Sequence, residues 1–289
     1  MGILHYNKSD LPFNDSMLRS WENDGFLIIN NFYSDLECET LKNQANYLVK
    51  NFDYQNHQSV FNTNKQNKVK DDYFLESGDK IRFFFEENSF KENGELTNDI
   101  EFLINKIGHA MHDLDPIFIN FSHKKELDDI AKGIKINNPL LVQSMYIFKQ
   151  PRIGGEVICH QDSTFLYTIP DSVVGFWIAI EDANIENGCM WADRGGHKEP
   201  LRKLFKRKNN ILEMETIDKT PFKELTTPLE VDKGTLILLH GRLPHYSTHN
   251  KSLKSRHAYT MHVINGEYTY PSFNWLQRPA NFPFKGFIN

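Results

Sequence analysis

His160 and Asp162 are separated by a single residue, Gln161, in a stretch that the sequence predicts to be extended. On extended backbone, side chains two positions apart project to the same face, so an imidazole and a carboxylate would lie side by side. These ligand types suit a borderline divalent cation such as Fe(II), and a second histidine would complete the 2-His-1-carboxylate triad of non-haem Fe(II) oxygenases. Alone, the pair is weak support, because this spacing often arises by chance.

A histidine-rich segment near the C-terminus could supply the third ligand. Five histidines fall between residues 240 and 262, and the residue types alone leave the choice among them open. His245 and Ser247 would share one face of a strand, and Arg256 would begin the next strand, antiparallel to it. A buried guanidinium needs an anionic partner. That partner could be a dicarboxylate such as 2-oxoglutarate, or an internal Asp or Glu.

Composition argues against several other classes of protein. Of the 289 residues, 39% are hydrophobic and 25% are charged, which is typical of a globular protein. The net charge of −5 does not favour a nucleic-acid partner. No run approaches the roughly 18 consecutive apolar residues of a membrane span, and the N-terminus lacks the blocks of a signal peptide. The three widely spaced cysteines form no zinc or disulfide pattern, so we expect a reducing, cytoplasmic setting.

The N-terminal part, up to about residue 135, is predicted to be mainly helical. Its predicted elements are a helix over 17–23, a strand over 26–29, a helix over 35–52, a loop over 62–72 and a helix over 98–114. Ser34 and Glu37 form a capping-box pattern before the second helix. Lys106 lies at the edge of the apolar stripe of the last helix, where a lysine normally reaches out to solvent.

The pattern changes to strands from residue 140 onward. Strands are predicted over 141–148, 173–180, 235–239 and 257–263. Because loops rather than regular helices separate them, the sequence predicts an antiparallel sandwich or barrel. The charged stretch 197–229 is predicted to be a surface insertion. We therefore expect one domain over residues 1–289, with its β core over about 140–270.

The order of several short motifs resembles the phytanoyl-CoA dioxygenase family. These motifs are His160-x-Asp162, Gly188-Cys189-Met190-Trp191, Gly234-Thr235, His245-x-Ser247-x-x-Asn250 and Arg256-x-Ala258-Tyr259. Longer runs that also match are 78–86, 105–110 and 142–151. The similarity extends from about Trp21 to Pro283 and is weakest between His197 and Leu229.

The resemblance implies a fold and a chemistry. The fold would be a double-stranded β-helix, a mainly β jelly roll with flanking helices. The activity would be that of an Fe(II)- and 2-oxoglutarate-dependent dioxygenase, which uses O2, forms succinate and CO2, and hydroxylates a substrate. Iron would be held by His160, Asp162 and His245, and ascorbate is an expected reductant. The positions that match the family's remaining 2-oxoglutarate contacts are Lys106, Met145, Gln161, Trp177, Ser247 and Arg256.

One segment departs from the family pattern. Where relatives usually have Pro-Gly-Ser-His after the Gly-Cys-Leu-Trp stretch, this chain has Arg194-Gly195-Gly196-His197. We expect this segment to lie near the mouth of the site. The departure would then affect the choice of substrate, which the sequence does not identify, and would leave metal binding unchanged.

Two other functional classes compete with the oxygenase. One is a jelly-roll binding module that has lost catalysis, and the other is a metal-dependent enzyme without 2-oxoglutarate, such as a zinc hydrolase. A complete triad together with Arg256 argues against the first. The lack of a dedicated zinc motif argues against the second.

Overall fold

Two largely antiparallel sheets enclose a cavity in the C-terminal part of the chain. The computed structural model describes residues 2–56, 59–60, 72–209 and 211–288. The helices are α1 Asp15–Asp24, α2 Asp35–Lys50, α3 Asp72–Leu75, α4 Ile100–Leu103, α5 Met111–Leu114, α6 Pro116–Ser122 and α7 Lys125–Gly133. The strands are β1 His5–Asn7, β2 Phe26–Asn30, β3 Ile81–Phe85, β4 Ile104–His109, β5 Pro139–Lys149, β6 Val157–His160, β7 Val174–Ala179, β8 Met190–Ala192, β9 Lys203–Lys208, β10 Ile211–Thr216, β11 Thr227–Leu229, β12 Leu236–His240, β13 His245–Ser247 and β14 Arg256–Asn265.

The larger sheet has eight strands and the smaller one has four. The larger runs in the order β1-β2-β12-β7-β14-β5-β4-β3 and the smaller in the order β11-β8-β13-β6, while β9 and β10 form a separate hairpin. Only β1 and β2 pair in parallel among the named strands. This architecture confirms the predicted jelly roll, mainly β with flanking helices. No helix in the described ranges is long and apolar enough to span a bilayer.

Alternation along the central strands decides which side chains reach the cavity. In β7, Phe176 and Ile178 belong to the core cluster that also contains helix residues, whereas Trp177 belongs to the cluster between the two sheets. Every residue of β7 and of β14 is buried. These strands are therefore covered on both faces, and one face of each is available to line the site.

The two helices and the strand that were predicted near the N-terminus are present in the structure, and local sequence features explain where the helices begin and end. The side chain of Asn14 caps α1 by accepting hydrogen bonds from two backbone N–H groups, and α1 ends at Gly25, whose φ of 78° is left-handed. Ser34 and Glu37 form the predicted capping box of α2. Strand β2 between these helices pairs with β1 and β12.

The helix predicted over residues 98–114 is wrong. This segment forms the short helix α4, then strand β4, then the short helix α5. Ile104 and Ile107 are fully buried core residues of a strand, so their spacing of three imitated a helical stripe. Lys106 consequently projects from β4, paired in register with Ile147, and is only 7% exposed. It is not the solvated helix lysine that the pattern indicated.

Two further predictions are only partly correct, and a third falls almost entirely outside the described residues. The stretch 197–229 is not only a surface insertion, because it contains the β9–β10 hairpin, in which Phe205 and Leu212 are buried against Trp275 and neighbouring side chains. The N-terminal part is helical as predicted, but it also contributes strands β1–β4 to the larger sheet. The loop predicted over residues 62–72 lies outside the described residues, except for Asp72.

Candidate metal centre and anion pocket

Three side chains that can bind a metal converge on the cavity. Ligand atoms of His160, Asp162 and His245 all lie within 4.8 Å of one another. Asp162 Oδ1 is 3.5 Å from His160 Nε2 and 3.7 Å from His245 Nε2. His160 ends β6, and it pairs in register with His245 at the start of β13. Strand pairing therefore brings together residues that are far apart in the sequence.

Each of these two histidines is oriented by its own backbone. His160 Nδ1 lies 2.8 Å from the carbonyl oxygen of Ile158, and His245 Nδ1 lies 3.0 Å from that of Leu243. A carbonyl oxygen only accepts, so Nδ1 carries the proton and Nε2 presents its lone pair to the partner ligands. Burial lowers the pKa of His245 to about 4, which keeps its imidazole neutral.

Asp162 is held by His262, which the sequence analysis did not single out. His262 Nε2 lies 3.2 Å from Asp162 Oδ2, and Gln143 donates to His262 Nδ1 at 3.0 Å. His262 therefore donates through Nε2 and leaves Oδ1 of the aspartate facing the other ligands. Burial alone would raise the pKa of Asp162, but His262 and His245 hold it well below its usual range. Gly175 is required here, since a Cβ would come within 2.9 Å of Oδ2.

Arg256 lines the same cavity and has no acidic partner among the residues that the structure describes. It is 2% exposed, and its Nε and Nη1 have no hydrogen-bond partner in the described part of the chain. The guanidinium lies 5.6 Å from the ring centroid of Trp177. Burial lowers the pKa of Arg256 to about 10, so it stays cationic at neutral pH. The internal Asp or Glu salt bridge that the sequence left open is therefore not found among the described residues.

Arg256 reaches the cavity from a different wall than predicted. It begins β14, as expected, but β14 pairs with β5 and β7 in the larger sheet. The preceding strand β13, which carries His245 and Ser247, belongs to the smaller sheet. The guanidinium and the two β13 side chains thus line the cavity from opposite sheets rather than from neighbouring strands.

The cavity is sized for small molecules. Its volume is about 410 Å³, within the range of roughly 300–1,000 Å³ that is usual for ligand pockets. Lys106, Met145, Trp177 and Ser247 all line it, as does Arg256. Burial lowers the pKa of Lys106 to about 7, and its Nζ lies 5.7 Å from the ring centroid of Phe84.

Gln161 is the predicted contact residue that the structure keeps apart from the cavity. Its Nε2 donates to the carbonyl oxygens of Pro200 and Arg242, and its Oε1 accepts from the backbone N–H of Arg202. The side chain is fully buried by these contacts. It therefore fixes the backbone between His160 and Asp162 instead of facing the pocket.

The segment with Arg194 does not line the cavity either, contrary to the sequence-based expectation. Arg194 Nε donates to Asp24 Oδ1 at 2.8 Å, and Gly195 N–H donates to the carbonyl oxygen of Asp24. The segment that contains Arg194 and Gly195 therefore packs against the C-terminal end of α1. Arg194, which stands where relatives usually have Pro, therefore pairs with an acidic residue outside the cavity.

Alternation could have revealed other cavity residues that were missed. Along β5, the side chains of Gln143, Met145, Ile147 and Lys149 all line the cavity, although only Met145 was singled out. Lys149 Nζ donates to the carbonyl oxygens of Gly155 and Thr248, at 2.6 and 2.7 Å. Burial, and then the charge of Arg256, lower the pKa of Lys149 well below its usual value.

Comparison with known proteins agrees with this geometry. The profile of the family described as phytanoyl-CoA dioxygenase (PhyH) matches residues 21–258. The chain belongs to the phytanoyl-CoA dioxygenase family. A mouse (Mus musculus) relative named phytanoyl-CoA dioxygenase domain-containing protein 1 is 41% identical over 280 residues, which cover 93% of this chain and 96% of the relative. The predicted resemblance and the assignment to a dioxygenase family are thereby confirmed.

Solved structures share the fold of this family member at low sequence identity. The carbocyclase SnoK from nogalamycin biosynthesis superimposes with a TM-score of 0.60 at 14% identity, covering 96% of this chain and 97% of SnoK. EctD from S. alaskensis with bound Fe superimposes with a TM-score of 0.62 at 16% identity, covering 94% of this chain and 84% of EctD. At these identities the similarity is evidence for the fold alone.

Proposed function

We propose that this member of the phytanoyl-CoA dioxygenase family is an Fe(II)- and 2-oxoglutarate-dependent dioxygenase that hydroxylates a small molecule. One oxygen atom of O2 would enter succinate, with release of CO2, and the other would enter the hydroxylated product. The observation that carries the proposal is the buried guanidinium of Arg256. It has no acidic partner in the described ranges, and it shares a cavity with the His160, Asp162 and His245 cluster.

The residues present fit both groups. Two neutral imidazoles and one ionised carboxylate suit Fe(II) and would leave open positions for other ligands. Arg256 would bind the distal carboxylate of 2-oxoglutarate through a two-pronged contact, with the Ser247 hydroxyl as a second donor. Lys106, Met145 and Trp177 would complete the pocket. When bound, Fe(II) would activate O2, and the oxidation of 2-oxoglutarate and that of the substrate C–H bond would each supply two of the four electrons that O2 requires.

The chain itself would orient these groups and exclude water. His262 would keep Asp162 Oδ1 directed at the metal, because it holds the other carboxylate oxygen. The ring of Trp177 beside Arg256 would keep the guanidinium desolvated, which strengthens its attraction for a carboxylate. Gln161 would act as a positioning residue through the backbone that it holds, and not as a direct 2-oxoglutarate contact.

The names of structural relatives support the same pair of groups. SnoK is described as non-heme and alpha ketoglutarate dependent, and EctD was solved with bound Fe. Neither competing class explains the whole cavity. A binding module does not need a metal triad, and a zinc hydrolase does not need an unpaired buried arginine.

The experiment that tests this function measures succinate. Purified protein is incubated with Fe(II), 2-oxoglutarate and O2, with ascorbate to keep the iron reduced, and without any primary substrate. We expect slow formation of succinate, because the triad and Arg256 can bind Fe(II) and 2-oxoglutarate in the absence of a primary substrate. His160→Ala is the control. Succinate no higher than in this control would reject the dioxygenase and favour the binding module.

A further inference from the structure

Beyond the triad, the cavity continues into a chamber with aromatic walls. One wall begins at the metal site, where the rings of Phe165 and His160 lie 5.9 Å apart and Phe205 packs on Phe165 at 5.6 Å. A second wall is formed by Phe74 and Trp275, which stack with centroids 4.2 Å apart. Phe74, Phe165, Phe205 and Trp275 all line the cavity, and none of these four is assigned to binding iron or 2-oxoglutarate. We call this region the aromatic chamber.

A single histidine adds polarity next to the Phe74–Trp275 wall. His109 is 1% exposed and lines the cavity, with its ring 5.1 Å from Trp275 and 5.6 Å from Phe74. Its Nδ1 lies 2.7 Å from Ser77 Oγ. Its Nε2 has no hydrogen-bond partner within the described ranges. A polar atom of a cavity-lining side chain that lacks a protein partner can take its hydrogen bond from a ligand, so this nitrogen marks a place where a ligand can supply one.

Ser77 determines which hydrogen-bonding role Nε2 can play. The Ser77 hydroxyl lies 2.5 Å from the carbonyl oxygen of Phe74, which only accepts, so its single proton is used there. Ser77 must therefore accept from His109, and Nδ1 carries the imidazole proton. Burial, and to a lesser degree Lys106 and His262, lower the pKa of His109 well below its usual value, so the ring is neutral. Nε2 is thus a hydrogen-bond acceptor.

We propose that the aromatic chamber binds the apolar body of the primary substrate, and that His109 Nε2 accepts a hydrogen bond from a neutral hydroxyl of that substrate. An anionic group would be repelled by the lone pair of Nε2. A cationic group would be disfavoured by Lys106, which lies on the same strand. The substrate class is therefore an alcohol with a flat or alicyclic apolar body, whose oxidised C–H faces His160. This inference rests on the proposed function, since the chamber borders the metal site.

The test compares alcohols with their methyl ethers, in which a methyl group replaces the hydroxyl hydrogen and removes the donor. Cyclohexylmethanol, 2-phenylethanol and 2-naphthalenemethanol, each with its methyl ether, are titrated calorimetrically into protein loaded with Fe(II) and 2-oxoglutarate without O2. For at least one skeleton the alcohol should bind about tenfold more tightly than the ether. His109→Phe should remove this preference and keep the bulk of the ring. His249→Phe, at an exposed position, is the matched control and should retain it.

The design separates loss of the acceptor from loss of the fold. In His109→Phe the Ser77 hydroxyl can still donate to Phe74, so no buried donor is left without a partner. His109→Gln, whose amide can donate to Ser77 and accept through Oε1, should restore part of the preference. If His109→Phe does not fold, Ser77→Ala provides the test, because it removes the contact that fixes the tautomer and should weaken the preference.

Two outcomes would overturn the inference. One is equal affinity for alcohol and ether on every skeleton in the wild-type protein. The other is a preference for the alcohol that persists in a folded His109→Phe variant. Succinate formation by the wild type, measured without these probes, reports on the proposed function separately. A wild type that forms succinate but shows no preference for alcohols rejects the role of His109 and retains the dioxygenase.

Discussion

Two arginines are buried in the wall of the same cavity, but their surroundings differ. Arg256 is 2% exposed and has no acidic partner in the described ranges. Arg202 is 6% exposed, and its guanidinium lies 3.5 Å from Glu199, 3.6 Å from Asp218 and 3.1 Å from the carbonyl oxygen of Pro200. A guanidinium that is paired internally supports the fold, whereas an unpaired one is unfavourable until a ligand arrives. The difference distinguishes a structural arginine from a ligand-binding one.

The largest expected effect is at the triad. It would hold the metal that 2-oxoglutarate, the proposed ligand of Arg256, chelates. His160→Ala, Asp162→Ala and His245→Ala should each abolish Fe(II) binding, because each removes one of only three protein ligands. Binding is measured by titration under anaerobic conditions. His240→Ala and His249→Ala are the controls and should still bind iron. Loss of binding in either control, with binding retained in His245→Ala, would show that the third ligand was wrongly chosen.

The next effect tests Arg256 directly. Arg256→Ala should weaken 2-oxoglutarate binding by about 2–3 kcal/mol, roughly 30- to 150-fold, because a charge-assisted contact is lost. Arg256→Lys should weaken 2-oxoglutarate binding by about 1–2 kcal/mol, roughly tenfold in affinity, because a lysine cannot form the two-pronged contact. Affinity is measured together with the melting temperature. A lower melting temperature with unchanged affinity in Arg256→Ala would make this arginine structural and would remove the contrast with Arg202.

A smaller effect is expected at His262, which supports the metal without touching it. His262→Ala should lower Fe(II) affinity by roughly 10- to 100-fold, because residues that hold a metal ligand usually have effects of this size. Asp162 would keep its charge but lose the partner of its second oxygen. Iron titration provides the measurement, with His249→Ala as the control. Wild-type affinity in this variant would mean that Asp162 is oriented by its other contacts.

The smallest effect on ligand binding is expected at Arg202. Arg202→Ala should lower the melting temperature by roughly 2–4 °C, since its contacts with Glu199, Asp218 and Pro200 are lost. Affinity for 2-oxoglutarate should stay at the wild-type value, because the charge of the Arg202 guanidinium is already balanced by the two carboxylates. Thermal denaturation and 2-oxoglutarate titration are run on the same samples. A loss of affinity as large as in Arg256→Ala would contradict the distinction between the two arginines.

The grouping of His160, Asp162 and His245 could be predicted from the sequence because short motifs mark all three residues. His160 and Asp162 lie two positions apart on extended backbone, and the family motif selected His245 among five histidines. The same local reasoning failed over residues 98–114, where Ile104 and Ile107 fit both a helix and a buried strand. Gly108 in the middle of that segment was a signal against a helix. Pairing of β4 with β5 decided the outcome, and such pairing is not visible in a local pattern.

The aromatic chamber could not be predicted from the sequence. Phe74, His109, Phe205 and Trp275 come from four distant segments that meet only in the folded chain. Phe205 also lies in the stretch where the resemblance to the family is weakest. Even with His109 identified, its role as an acceptor depends on the hydroxyl of Ser77 and on where that proton goes. The roles of such residues follow from three-dimensional contacts rather than from residue type.

The ring of His160 is oriented by a backbone carbonyl, which affects how this site can accumulate mutations. Its Nδ1 is held by the carbonyl oxygen of Ile158, and every amino acid supplies that oxygen. The side chain of Ile158 is 37% exposed and lines the cavity. Position 158 can therefore vary in size and polarity while the ring of His160 keeps its alignment. Within one short strand, substrate range and metal affinity are separable traits, which makes position 158 a favourable starting point for directed evolution.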